Sequence, residues 1–129
     1  FFIGLSLRTN PEGARQLSNL LERYGYTSST VEVGDILHLK TGINGVGTHL
    51  LASPAFSKHD AFQSLPLLEV PNSEAYAANS IRLNDHLITP AGFPQTRKLL
   101  ESLGCPIVEV PMSEFEKMDG GLTCCSLLF

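Results

Sequence analysis

The residues with the clearest chemical potential lie near the end of the chain, where two adjacent cysteines follow an acidic, glycine-rich loop. The loop is Met-Asp-Gly-Gly at 118–121, and the cysteines are Cys124 and Cys125. Glycine lets the backbone approach a ligand closely, and Asp119 adds a carboxylate there. The apolar residues of 122–129 predict a final strand, in which alternation points one thiol to a site and the other into the core. This layout is typical of a presented nucleophile.

An internal repeat relates a histidine to these cysteines. The chain contains two strand–helix–strand patterns whose second strand reads Val-Glu-Val, at 31–33 and at 108–110. The first leads to His38, which is the candidate base, and the second leads to Cys124. Matching positions of related units converge on the axis of a closed pseudo-symmetric ring, so we expect these two side chains to meet. The stretch 53–83 is predicted as a degenerate third copy.

Hydrophobic periodicity predicts an α/β protein that positions these residues. Strands are expected at 1–5, 30–33, 43–47, 48–52, 67–70, 77–83, 86–89, 107–110 and 122–129, and helices at 11–24, 54–62, 93–103 and 113–117. The first strand is continuously apolar and is expected to be buried on both faces. Thr9 or Asn10 is expected to cap the first helix, and Ser113 with Glu116 reads as a capping box.

Composition excludes several classes of function. The 129 residues carry a net charge of −4 with nine Lys and Arg, which predicts no nucleic-acid partner. Apolar runs are too short for a membrane span, so no membrane partner is expected. Three cysteines, two of them adjacent, form a poor disulfide framework and favour a reducing cytoplasmic location. The apolar start at Phe1 suggests the C-terminal part of a longer protein.

A structural zinc site is not expected either. Such sites need about four ligands at suitable spacing. Cys124, Cys125 and His38 provide three at most, and the predicted strand would place the two thiols on opposite faces. We therefore predict no metal.

Four stretches of the chain carry a resemblance to a known family. Phe-Phe-Ile-Gly-Leu-Ser-Leu-Arg-Thr-Asn (1–10), Leu-His-Leu-Lys-Thr-Gly (37–42), Ala-Ala-Asn (77–79) and Ser-Glu-Phe-Glu-Lys-Met-Asp-Gly-Gly-Leu-Thr-Cys (113–124) resemble the C-terminal half of a dimethylarginine dimethylaminohydrolase. This family lies in the guanidine-modifying superfamily. The resemblance implies a five-bladed α/β propeller, the pentein fold, built of ββαβ units. Residues 1–129 would be the C-terminal portion of that single domain, without its N-terminal blades.

The resemblance also implies a reaction and roles for named residues. Cys124 would attack the guanidinium carbon of asymmetric dimethylarginine or monomethylarginine, and a covalent thiouronium would be hydrolysed to citrulline. His38 would act first as acid and then as base, since the ordinary pKa of histidine lies near neutrality. Arg8 would bind the substrate carboxylate, and Met118 and Asp119 would line the substrate.

The same resemblance implies the partners of the chain. The small-molecule substrate and the missing N-terminal half are expected, a homodimer is left open, and no cofactor is expected. In the family, the acidic partner of the histidine and most guanidinium-binding carboxylates precede the stretch that matches Phe1.

Other interpretations stay open. A sibling of the superfamily such as an arginine deiminase would use the same cysteine and histidine on unmethylated arginine, and a non-catalytic propeller would bind a partner or metabolite. Cys124 could be a core thiol, as we expect for Cys125 and Cys105, and His38 a structural histidine. Arg8 could be a surface residue, and Asp119 a turn-former.

Overall fold

The first of two units is built on one pair of parallel strands. The computed structural model describes residues 1–127. In the unit Phe1–Leu39, strand β1 (Phe2–Leu5) pairs in parallel with β2 (Ser29–Glu32), and helix α1 (Pro11–Arg23) connects them. The first strand–helix–strand copy is therefore confirmed.

Helix α1 begins and ends at the residues that the sequence indicates. The Asn10 side chain accepts a hydrogen bond from the Gly13 backbone N–H at 2.8 Å, and Pro11 takes the first helical position. Gly25 follows the helix with a φ of +80°, a left-handed conformation that glycine adopts without strain. Of the two predicted caps, Asn10 is the one the protein uses.

The predicted burial of β1 on both faces is wrong. Ile3 is 7% exposed, but Phe1 and Phe2 are 61% and 40% exposed. Within this unit, one helix accompanies a two-stranded sheet, so only part of the strand is covered. The apolar side of α1 is also incompletely covered: Ala14 is fully buried, whereas Leu17 is 44% exposed.

The second unit, Lys40–Phe129, contains two copies of a ββαβ arrangement. In each copy, the first two strands are antiparallel and the third pairs in parallel with the second. The earlier copy consists of β3 (Ile43–Gly45), β4 (Leu50–Ala52), α3 (Pro54–Ser57), a 3₁₀ turn (Asp60–Phe62) and β5 (Leu67–Glu69). The later copy consists of β6 (Ile81–Leu83), β7 (His86–Pro90), α4 (Pro94–Glu101) and β8 (Ile107–Val110).

Three predicted boundaries are corrected by these elements. The additional copy spans 43–69 rather than 53–83. The helix predicted at 54–62 is broken, because His59 has an extended backbone and its ring nitrogen accepts from the Ala61 N–H. The strand predicted at 77–83 is shorter, because Asn72–Ala78 forms a 3₁₀ segment that ends in a turn where the Ser80 hydroxyl donates to the Ala77 carbonyl.

Both ββαβ copies contribute to one apolar core. Its buried members come from the β3–β4 turn, strands β4 and β7, the residue after β5, the 3₁₀ segment and helix α4: Val46, Leu51, Val70, Ala78, Leu87 and Leu100. Full burial of a Val or Leu side chain contributes roughly 1.5–3 kcal/mol. Val70 and Ala78 extend this core into the connection that follows β5.

Short helices follow β2 and β8. Helix α2 (Leu39–Gly42) comes directly after His38, and α5 (Ser113–Glu116) follows β8. The predicted capping box is wrong, because Met112 occupies the N-cap and no side chain caps α5. Within residues 1–127, no helix has the length and apolarity needed to cross a bilayer.

Candidate active site

The acidic, glycine-rich loop ends helix α5 in a specific turn. The Asp119 N–H donates to the Glu116 carbonyl at 3.0 Å, and the Gly120 N–H donates to the Phe115 carbonyl at 2.8 Å. This is the Schellman pattern, whose left-handed position usually holds glycine. Here Asp119 occupies it with a φ of +57°, although two glycines follow directly. Aspartate tolerates the left-handed conformation better than most residues other than glycine, so turn formation accounts for this position.

The cysteines lie on a turn rather than on a strand. The Cys124 N–H donates to the Gly121 carbonyl at 3.0 Å, and the Cys125 N–H is shared between the carbonyls of Gly121 and Leu122 at 3.2 Å. These donors are used inside the turn, so they are not available to a sheet. The predicted final strand is wrong through residue 127, and 128 and 129 lie outside the described residues.

Both cysteines of the pair, Cys124 and Cys125, are exposed residues. All three cysteines of the chain are free. The prediction that Cys125 packs in the core is therefore wrong, because strand alternation does not operate in a turn. Cys105, by contrast, is half-buried and packs against the apolar core, as expected.

Three side chains of the second unit bind the backbone around these cysteines. The Asn79 carbonyl oxygen accepts from the Thr123 N–H at 2.9 Å. The Lys40 ammonium donates to the Thr123 carbonyl at 3.2 Å, and the Tyr76 hydroxyl donates to the Gly120 carbonyl at 2.7 Å. The residue that precedes Cys124 thus has both of its backbone polar groups bound by side chains.

The environment of Tyr76 is also electrostatically distinct. Burial raises the pKa of Tyr76, and the negative charges of Glu116, Cys125 and Cys124 raise it further. Its ring packs against Phe93 with ring centroids 5.7 Å apart. The phenol therefore stays protonated and keeps its donor for the Gly120 carbonyl.

The sequence did not predict functional roles for Lys40, Asn79 or Tyr76. Lys40 and Asn79 lie in two of the stretches that carry the family resemblance, 37–42 and 77–79. That resemblance was the one feature of the sequence that could have indicated a functional role for them. Tyr76 directly precedes the second of these stretches. Their roles depend on contacts with residues 44 and more positions away, which no local pattern shows.

The remaining predicted site residues lie in the first unit. His38 is half-buried in the loop that precedes α2. Arg8 is exposed in the turn after β1, where its backbone N–H donates to the Ser6 hydroxyl at 3.1 Å. Among residues 1–127, the Arg8 guanidinium forms no ion pair.

Met118 and Asp119 are solvent-accessible beside the cysteine turn. Met118 is 84% exposed, and Asp119 is also exposed. Three of the predicted site residues thus lie in consecutive turns of the second unit: Met118, Asp119 and Cys124. Within the described part of the chain, no group of three or more His, Cys, Asp or Glu side chains is arranged to hold a metal ion.

Comparison with known proteins identifies a relative along the entire sequence. The chain is 45% identical over 130 residues to N(G),N(G)-dimethylarginine dimethylaminohydrolase of Pseudomonas aeruginosa, covering 100% of this chain and 51% of that protein. The chain is similar over its whole length to this hydrolase. The resemblance noted in the sequence is therefore confirmed. No protein-family model matches the chain.

Further comparisons agree with the similarity to dimethylarginine dimethylaminohydrolase. The enzyme of that name from Streptomyces coelicolor is 32% identical over 129 residues, covering 98% of this chain and 48% of that protein. A solved structure of the Pseudomonas aeruginosa enzyme, a cysteine-to-serine mutant complexed with citrulline, matches with a TM-score of 0.96 and 45% identity. That match covers 100% of this chain and 51% of the solved one. The chain spans about half the length of the relatives it matches.

Proposed function

We propose that this chain is part of a hydrolase that converts N-omega-methylated arginines to citrulline and methylamines. The single observation that carries the proposal is the similarity of the whole chain to dimethylarginine dimethylaminohydrolase, at 45% identity and a TM-score of 0.96. The exposed position of Cys124, on a turn bound by three side chains, supports the same function. A guanidinium is a poor electrophile, so a covalent intermediate divides its hydrolysis into two easier steps.

In the first step, a new bond forms between the Cys124 sulfur and the guanidinium carbon. The bond from that carbon to the methylated nitrogen then breaks, and His38 donates the proton with which methylamine or dimethylamine departs. The product on the enzyme is a thiouronium on Cys124. Because the thiolate is the attacking form, the reaction needs Cys124 deprotonated and His38 protonated at the start.

In the second step, water replaces the sulfur. His38, now neutral, accepts a proton from water as the oxygen bonds to the carbon. The carbon–sulfur bond breaks and Cys124 leaves as a thiolate. The proton that remains on the new oxygen passes to bulk water, and neutral citrulline is released. We propose that Arg8 binds the substrate carboxylate through its guanidinium, and that Met118 and Asp119 line the substrate.

The wider architecture belongs to the same proposal. The two ββαβ copies and the strand–helix–strand copy support a five-bladed propeller, of which residues 1–129 form the C-terminal portion. The remaining blades would be formed by residues that correspond to the half of the relatives that this chain does not match. The cytoplasmic location stays a prediction from the unpaired cysteines, and a homodimer stays open.

Citrulline release tests the function directly. The assay uses the complete polypeptide that contains these 129 residues, hereafter the full protein, with asymmetric dimethylarginine and with arginine as substrates. Cys124→Ser and Cys125→Ser are compared as matched thiol variants. We expect turnover of dimethylarginine that Cys124→Ser abolishes and Cys125→Ser retains.

Each other result has a defined meaning. Turnover of arginine alone would assign a deiminase activity instead. Loss of activity only in Cys125→Ser would identify Cys125 as the nucleophile. A folded full protein that releases no citrulline from either substrate would exclude the hydrolase and leave a binding scaffold.

A further inference from the structure

A buried amide lies directly behind the turn that carries the cysteines. Asn79 follows the 3₁₀ segment and is 2% exposed. Its side-chain oxygen accepts from the Thr123 N–H at 2.9 Å, and its side-chain nitrogen donates to the Lys40 carbonyl at 3.2 Å. A buried polar group destabilises a protein unless it is hydrogen-bonded, and here both ends of the amide have partners.

The contact between this amide and the cysteine turn is close. A Cβ added at Gly121 would lie 2.7 Å from both the Cγ and the Nδ2 of Asn79. Gly121 also supplies the carbonyl that accepts from the Cys124 and Cys125 N–H groups. Because Gly121 has no side chain, the Asn79 amide packs directly against this first residue of the turn. The same amide binds the Thr123 N–H two residues later.

Lys40 binds the other side of the same peptide segment. Its ammonium donates to the Thr123 carbonyl at 3.2 Å, while Asn79 binds the Thr123 N–H. The Thr123 carbonyl belongs to the peptide unit that joins Thr123 to Cys124. Binding its oxygen restricts the rotations that set the direction of the Cys124 side chain.

A second amide serves as an internal comparison. The Asn44 side chain donates to the carbonyls of Lys40 and Ala78 at 2.7 and 2.9 Å. Binding of the Lys40 carbonyl is thus shared by two amides. Asn79 differs from Asn44 because its side chain also contacts the cysteine turn. Its amide oxygen accepts from the Thr123 N–H, while its amide nitrogen donates to the Lys40 carbonyl.

We propose that Asn79 is a positioning residue for Cys124, acting through the Thr123 backbone. The inference rests on the proposed hydrolase function. Attack on a planar guanidinium needs the sulfur above the carbon, and a displacement of about 1 Å can lower a rate by about 100-fold. Removing the amide leaves the thiol chemically intact and disturbs its placement. The effect therefore falls on kcat, with KM little changed.

The test compares Asn79→Ala with Ser80→Ala in the full protein. Ser80 is the next residue and is also fully buried, and its hydroxyl bonds to the Ala77 carbonyl and to the Thr89 hydroxyl at 2.8 and 2.9 Å. Within residues 1–127, the hydrogen bonds of the Ser80 hydroxyl do not reach the cysteine turn. We expect Asn79→Ala to lower kcat by about 100-fold at nearly constant KM, whereas Ser80→Ala keeps kcat.

A second pair of variants avoids the buried site. Lys40→Met removes the bond to the Thr123 carbonyl from an exposed residue, and Lys58→Met is its exposed control. We expect Lys40→Met to lower kcat and Lys58→Met to leave it unchanged. Because neither lysine is buried, this comparison tests the route through the Thr123 backbone even where Asn79→Ala does not fold.

Asn79→Asp adds a rescue measurement. Aspartate keeps the acceptor for the Thr123 N–H and loses the donor for the Lys40 carbonyl. We expect its kcat to lie between those of Asn79→Ala and the unaltered protein. Equal kcat losses in Asn79→Ala and Ser80→Ala, or an unchanged kcat in Lys40→Met, would overturn the positioning role while the hydrolase function stands. Absence of citrulline from the unaltered protein would overturn both.

Discussion

The carboxylate of Glu74 accepts a hydrogen bond from the Thr96 backbone N–H at 2.6 Å. Its second oxygen accepts from the Gln95 N–H at 3.1 Å, so a side chain of the 3₁₀ segment caps the start of helix α4. Helix α4 needs this contact because Phe93, at its N-cap, provides no side-chain acceptor. The same 3₁₀ segment leads to Asn79, so this cap anchors the connection that reaches the cysteine turn.

Neutralising this cap is expected to destabilise the full protein. Burial raises the pKa of Glu74, but hydrogen bonds from Thr96 and Gln95 outweigh burial and lower the pKa below its ordinary value. The carboxylate therefore stabilises the fold above the unfolded-state pKa, and this contribution disappears as the pH falls through the folded-state pKa. Glu74→Gln should lower the free energy of unfolding by about 1–2 kcal/mol at neutral pH.

Urea unfolding at neutral and acid pH measures the effect of Glu74→Gln. Glu114→Gln is the control, because the Glu114 carboxylate is 78% exposed in a surface pair with Lys117. The difference between unaltered protein and Glu74→Gln should shrink in acid. An equal loss at both pH values would contradict a charged cap.

Removing the Tyr76 hydroxyl is expected to change stability at high pH. Its pKa is raised, so the protonated phenol stabilises the fold below the unfolded-state pKa of tyrosine, and the stabilisation is lost as the pH rises through the folded-state pKa. Tyr76→Phe should cost about 1 kcal/mol at neutral pH, since the Gly120 carbonyl loses its donor.

Unfolding curves measured from neutral to alkaline pH check this prediction. The unaltered protein should lose stability steeply in the alkaline range, and Tyr76→Phe should follow a flatter profile. Tyr24→Phe is the matched control because Tyr24 is 74% exposed. Identical pH profiles for Tyr76→Phe and the unaltered protein would show that Tyr76 does not contribute to this dependence.

Gly42 is expected to tolerate no side chain. A Cβ at this buried position would lie 2.7 Å from the Phe56 ring and 3.0 Å from the Ser53 hydroxyl. Gly42→Ala should therefore destabilise the protein by about 1–3 kcal/mol through overpacking. Gly45→Ala is the control, because its Cβ would meet nothing within 4 Å. Thermal unfolding of both variants measures the difference, and equal melting temperatures would contradict the packing argument.

The three cysteines are expected to react at different rates with an alkylating reagent. Cys124 and Cys125 are exposed, whereas Cys105 is half-buried against the core and its sulfur lies 3.6 Å from the Leu103 carbonyl. Brief iodoacetamide treatment of the folded full protein, followed by peptide mass spectrometry, should label the vicinal pair before Cys105. Denatured protein provides the control, in which the preference should largely disappear. Labelling of Cys105 first in the folded protein would show that its packing is loose.

The sequence by itself determines the structural features that depend on neighbouring residues. Asn10, Pro11 and Gly25 define the limits of α1 because capping, fixed φ and left-handed freedom depend on adjacent residues. The two Val-Glu-Val triplets correspond to the second strands of parallel pairs. Family resemblance supplied the candidate roles of Cys124 and His38, which remain proposals.

Tertiary structure decided the environment of the candidate nucleophile. An apolar run with two cysteines reads as a strand, but a strand needs a partner, and here the N–H groups of Cys124 and Cys125 bond within a turn. Binding of Thr123 by Asn79 joins residues 44 positions apart. No local pattern contains that contact, because it exists only once the core of the ββαβ copies places the 3₁₀ segment beside the turn.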